Sequence, residues 1–186
     1  MGYIFDPEKL HTLSKRVVGM PRQQMITQLI SDLAEAYPGY IETRQKWIFN
    51  LVGGATGSLT VLHGSLSEYL IIFGTSIGTE GFSGRYKLEI HDFMLEGEMW
   101  VYTGDKPLER EVFVPGEHAI LNRNQTKAYR CPDSGWMLEY ARGNVPSCLP
   151  TGLGGAVFSA VDPKIVWDTV STYGWQTIRS LLKGKI

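Results

Sequence analysis

Two acidic residues stand where a strand pattern calls for apolar ones. In "RYKLEIHDFML" (85–95), alternation places Tyr86, Leu88, Ile90, Asp92 and Met94 on one face and Arg85, Lys87, Glu89, His91 and Phe93 on the other. The first face should turn into a core; the second, charged over most of its length, should meet water. Asp92 falls on the inward side. In "GWMLEYARG" (135–143), Trp136, Leu138 and Tyr140 share one face and Met137, Glu139 and Ala141 the other, so Glu139 also has apolar neighbours. Two carboxylates in one dry cavity do not both ionise easily. Desolvation and like charge raise one of them, and a shared proton near neutral pH supplies an acid and a base together. Each residue has a structural alternative. An inward Asp accepts backbone hydrogen bonds at a bulge or strand end, and Glu139 forms a salt bridge with Arg142 or another basic group.

Other chemistries find little support. The histidines, His11, His63, His91 and His118, include no H-x-H pair. Only His118, after the Pro115-Gly116 turn, is placed as a ligand, so no metal site is expected. No nucleophile elbow is present, and "GGATG" and "GLGG" match no phosphate loop. The 18 basic and 19 acidic residues nearly cancel and no basic stripe occurs, which argues against nucleic acid as a partner. Cys131 and Cys148 make no disulfide framework. The N-terminus shows no signal-peptide h-region, and no run approaches the ~20 apolar residues of a spanning helix.

The elements that must hold the two carboxyls follow from periodicity. Asp6-Pro7 starts a helix with apolar Leu10, Leu13 and Val17, and a second stripe runs from Met25 to Leu33. From about 45 to 143, short strands alternate with glycine and proline turns. After Gly143 the chain returns to helix, with a second Asp-Pro start at Asp162-Pro163. Ile165, Val166, Thr169, Val170, Tyr173, Ile178, Leu181 and Leu182 form one broad face there, covering the barrel. Trp167 and Trp175, with Arg179, Lys183 and Lys185, suit a membrane interface. The expected fold is α+β: a cupin-like jelly-roll β-barrel with N-terminal helices and two C-terminal helices over it. A single domain, 1–186, divides into a helical segment at 1–40, a barrel at 45–143 and membrane-facing helices at 144–186.

Three blocks, "LHGSLSEYLIIFGTSIGTEGFSGRY", "EVFVPGE" and "WMLEYARGNVPSCLP", resemble the sterol C-8 isomerase and sigma non-opioid receptor family, and the resemblance runs from about Tyr3 to the C-terminus. It implies a cupin-like barrel closed by membrane-resting helices. It implies either an isomerase that shifts a sterol double bond from position 8 to 7 by carboxylate acid/base chemistry in a closed apolar cavity, without a cofactor, or a protein that binds lipophilic amines or sterols without turnover. On that resemblance Asp92 and Glu139 are the catalytic carboxyls. Tyr69 stands beside Glu139, and Phe73, Ile90, Val145, Leu149 and Tyr173 line the cavity. Phe82 occupies a position where the family usually carries histidine. A homotrimer is implied. With no spanning helix expected, anchoring rests on the C-terminal helices, and the implied location is peripheral on a membrane: the endoplasmic reticulum in a eukaryote, the cytoplasmic face in a bacterium.

Overall fold

A computed structural model describes residues 2–185. Two helices come first, α1 (Pro7–Val17) and α2 (Arg22–Ala36). Asp6 caps α1 by accepting a 3.1 Å hydrogen bond from Glu8 N, as Asp-Pro predicts. Gly19, at φ +86°, supplies the left-handed residue between the two helices.

Ten strands follow: β1 (Trp47–Val52), β2 (Ala55–Gly64), β3 (Glu68–Thr75), β4 (Thr79–Phe82), β5 (Leu88–Gly97), β6 (Met99–Thr103), β7 (Glu111–Phe113), β8 (His118–Leu121), β9 (Lys127–Cys131) and β10 (Gly135–Gly143). They form two antiparallel sheets, ordered β1-β2-β3-β10-β5-β8 and β4-β9-β6-β7. Within the eight strands from β3 to β10, successive strands alternate between sheets, except that β6 and β7 are neighbours in the four-stranded sheet, in two nested Greek keys. That connectivity is a jelly roll, which β1 and β2 extend on one side. The sheets are not joined edge to edge by a continuous ladder, so the barrel is a sandwich rather than a hydrogen-bonded cylinder.

The central strands of the six-stranded sheet are buried on both faces, while its edge strands β1 and β8 are partly exposed. Tyr69, Ile71, Phe73, Ile90, Met94 and Met137 pack inward; Leu70, Ile72, Phe93, Leu138 and Tyr140 pack outward under α1 and α2. The outer face of β5 was expected in water. Instead both His91 and Phe93 are buried, Phe93 stacked on His11 of α1 and His91 on His118 and Tyr140. Strands covered on both sides read as near-continuous apolar runs, and β3 is buried at every position.

Two register shifts adjust the strands to these layers. Between β2 and β3, Val61 pairs with Ile71 and His63 with Leu70, leaving Leu62 as an extra residue. Between β10 and β5, Met137 pairs with Met94 and Trp136 with Glu96, leaving Leu95. Both leucines turn to the outer core under the helices. β4, in "TEGF", was not expected from the sequence; it pairs with β9 through Gly81, where a Cβ would lie 2.6 Å from Ala55 N.

The C-terminal segment begins with a 3₁₀ turn (Val145–Cys148). It continues through α3 (Leu149–Gly154) and a π-turn (Gly155–Ser159), and ends in α4 (Pro163–Leu182). Asp162 caps α4, accepting from Lys164 N at 2.8 Å and Ile165 N at 3.2 Å. The broad apolar face expected to cover the barrel divides in two. Tyr173 and Thr169 reach the interior, whereas Val170, Ile178, Leu181 and Leu182 are exposed. Among the described residues, no helix is long and apolar enough to cross a membrane.

Candidate active site

The space between the sheets, closed at one end by α3 and α4, is a cavity. About 150 Å³ of it is reachable by the centre of a water molecule, and ligand atoms can also fill the shell around that volume. All eight residues singled out from the sequence border it: Asp92 and Ile90 from β5, Glu139 from β10, Tyr69 and Phe73 from β3, Val145 and Leu149 from the helical segment, and Tyr173 from α4.

The two carboxyls are brought together by strand register. Glu139 on β10 is the direct cross-strand partner of Asp92 on β5, so both side chains leave the sheet on the same face as immediate neighbours. Tyr69, on the other flank of β10, donates a 2.5 Å hydrogen bond from its hydroxyl to Glu139 Oε1. Burial and then the nearby Asp92 charge push the Glu139 carboxyl up to about 7, while Tyr69 and Lys127 pull it partly back. Glu139 keeps some accessible surface, but that surface faces the cavity rather than bulk water, so desolvation of its carboxylate is near complete. The expected alternative pairing with Arg142 is not made. Arg142 Nη2 lies 2.5 Å from Glu89 Oε1 on the outer face of the sheet.

Asp92 does not serve a bulge backbone. It forms a buried ion pair with Lys127, which reaches across from β9 in the facing sheet. Lys127 was missed in the sequence, although its signal matches that of Asp92. In "TKAYRC", Lys127, Tyr129 and Cys131 share a strand face on which the lysine is the only charge. Tyr86 and Tyr129 also border the cavity and were not singled out. Burial pushes the Tyr86 hydroxyl up to about 12 and raises Tyr129 and Tyr173 well beyond the usual range.

Residues considered for metal lie elsewhere. His118 Nε2 is 2.8 Å from His91 Nδ1 on the outer face of β5, and His91 Nε2 is 2.8 Å from Glu89 Oε1. Among the described residues, no three His, Cys, Asp or Glu side chains are grouped to hold a metal ion. Phe82 is exposed on β4 and does not border the cavity.

A family model described as ERG2 and Sigma1 receptor like protein matches residues 1–185. The chain belongs to this family. Members similar to it include the C-8 sterol isomerase ERG2 of Gibberella zeae, 36% identical over 187 residues that span 99% of this chain and 79% of that protein. The C-8 sterol isomerase of Neurospora crassa is 38% identical over 188 residues, covering 98% and 73% of the two chains. From the receptor branch of the ERG2 and sigma-1 family, the sigma non-opioid intracellular receptor 1 of Xenopus tropicalis is 34% identical over 177 residues, covering 93% and 79%. Among solved structures, the polyketide cyclase RemF from Streptomyces resistomycificus overlaps with a TM-score of 0.47 and 21% identity, over 55% of this chain and 81% of that one. An RmlC-like cupin from Shewanella frigidimarina gives 0.45 and 16%, over 55% and 86%. The jelly-roll assignment rests on the strand order given above.

Proposed function

We propose that this protein is a sterol isomerase that moves a double bond from position 8 to position 7. The observation that carries the proposal is Glu139 opposite Asp92 in a largely apolar cavity, one carboxyl able to hold a proton near neutral pH and the other ion-paired with Lys127. A sterol is rigid and almost wholly hydrocarbon, so apolar lining supplies most of its binding energy. A protonated carboxyl adds its proton to carbon 9, and a carbocation forms at carbon 8. A carboxylate in the low-dielectric site stabilises that cation. Loss of a proton from carbon 7 completes the shift, with no electron acceptor required.

Membrane attachment through the C-terminal helices belongs to the same proposal. Trp167, Trp175, Leu182, Phe158 and Val161 are exposed there, a concentration of large apolar groups that suits a headgroup layer. A sterol dissolved in the bilayer would then have a short path between α3 and α4. The implied homotrimer is supported by exposed Phe82, Tyr102 and Val112 on the outer face of the four-stranded sheet.

The deciding experiment incubates purified protein with a Δ8 sterol and follows the Δ7 product by gas chromatography. Product formation above the no-protein rate is expected. Stoichiometric sterol binding with no product would instead leave a binding protein built on the same cavity.

A further inference from the structure

Lys127 is a third charged group bordering the cavity, beside the two carboxyls, and the isomerisation as written above does not use it. We propose that Lys127 fixes the roles of the two carboxyls: it holds Asp92 as the standing carboxylate and leaves the mobile proton to Glu139. This deepens the isomerase reading and rests on it.

Geometry carries the assignment. The Lys127 ammonium and the Asp92 carboxylate come from facing sheets, and their side chains are only 8% and 4% exposed. Protonating Asp92 would leave a buried ammonium without its counter-ion, one of the costliest arrangements a protein interior can hold. Glu139 has no such cation. Its hydrogen-bond partner is the Tyr69 hydroxyl. The backbone around Lys127 is held as well, because Lys127 N donates to Ser83 Oγ at 3.0 Å and Ser83 N donates to Lys127 O at 2.9 Å. Lys127 acts through Asp92 and is a positioning residue.

The other titratable groups facing the carboxyls stay neutral near pH 7. Burial raises Tyr69 on β3, Tyr86 before β5 and Tyr173 on α4. It raises Tyr129 and Cys131 on β9, and Cys148 in the 3₁₀ turn, in the same way. Behind β5, burial lowers His91 and His118, which are therefore uncharged. With Glu139 protonated, the Asp92 and Lys127 charges cancel and the resting cavity is neutral, as an uncharged sterol requires.

The reaction then balances within the site. The Glu139 O–H bond breaks as the 8,9 π pair forms the C9–H bond, placing the cation at carbon 8 beside the Asp92 carboxylate. The C7–H pair becomes the 7,8 π bond, and its proton goes to Asp92. A proton next to a carbocation is acidic enough for even an ion-paired carboxylate to accept it. Transfer from Asp92 back to Glu139, across one strand pair, restores the starting state.

Two measurements test the proposal. Carbon-13 NMR of side-chain carboxyls in the native protein should show that, of the two cavity carboxyls, it is Glu139 that titrates near neutral pH. A neutral-range titration at Asp92 overturns the proposal, and this reading needs no turnover, so it stands even if no sterol is isomerised. In pH–rate profiles, native activity should fall only on the alkaline side, as Glu139 loses its proton. Lys127→Met should move that limb upward by about one pH unit and add an acid limb as Asp92 takes a proton. Lys127→Arg should restore the native shape. A Lys127→Met profile superimposable on the native one overturns the proposal. If Lys127→Met does not fold, the native titration decides alone.

Discussion

Lys185 Nζ lies 2.7 Å from Glu68 Oε1, and the two side chains are 8% and 0% exposed. Glu68 also accepts from Ile4 N at 2.8 Å and from the Tyr140 hydroxyl at 2.9 Å. One carboxylate at the start of β3 therefore ties the chain's first residues, its last residues and the outer core together. Glu68→Gln keeps the shape and removes the charge, leaving the Lys185 ammonium unpaired. Breaking a buried pair from one side typically costs ~3–5 kcal/mol. Urea denaturation should show the loss. An unchanged midpoint would mean the pair adds nothing to stability.

Asp92→Asn and Glu139→Gln should each lower Δ8-sterol turnover by at least ~10²-fold while far-UV circular dichroism stays native. Near-native turnover by either folded variant would refute the two-carboxylate mechanism.

Stability should separate Glu139→Gln from the native protein in a pH-dependent way. The folded Glu139 carboxyl is raised from 4.5 to about 7, so its contribution is complete below about pH 4.5 and is lost as pH rises through 7. Glutamine carries no such cost. The variant should therefore match the native protein near pH 4.5 and exceed it by about 2–3 kcal/mol at pH 8. A gap that closes toward high pH would contradict the buried, raised carboxyl.

The histidines act in the opposite sense. Burial lowers His63 and His91 and pushes His118 down to about 4. An unfolded chain binds protons at these sites from about pH 6.5 downward, whereas the folded protein resists them, so the histidines' own contribution to stability should fall as pH drops from 6.5 toward 4, against the gain from Glu139. His118→Gln should flatten that slope. Thermal melts of both proteins across this range provide the measurement: the variant's melting temperature should gain on the native one as pH falls toward 4, and a difference that stays constant or shrinks on acidification would contradict it.

Membrane attachment should appear as flotation with liposomes, stronger on anionic vesicles because Arg179 and Lys183 lie at the end of α4. Trp167→Ala with Trp175→Ala should weaken flotation and leave the melting temperature within a few degrees of native. Protein that remains in the soluble fraction with every vesicle composition would refute the attachment.

Much of this arrangement was legible from residue order because its signals are local. Asp6-Pro7 and Asp162-Pro163 mark two helix starts, and strand alternation isolates Asp92 on an apolar face. Whether the opposite face meets water is not local. His91 and Glu89 read as a solvent face, yet His91 is buried against Phe93, His118 and Tyr140, and α1, more than seventy residues earlier in the chain, packs on β5. Lys127 carried the same signal as Asp92, but its partner lies on another sheet, and only the jelly-roll crossing brings the two within reach. The cavity lining given by family resemblance surrounds one space. Asp92 as an ion-paired residue was not legible, because pairing depends on tertiary distance rather than on spacing along the chain.

The extra residues at Leu62 and Leu95 have a consequence for how such a chain can change over generations. Substitutions alter the cavity one side chain at a time. Loss of a single codon between Leu88 and Asp92 would instead exchange the two linings of β5 in one event, sending Asp92 beneath the helices and His91 or Phe93 toward the substrate space. Length variation in this lineage should therefore be confined to turns such as 104–110, where insertion leaves every strand in phase.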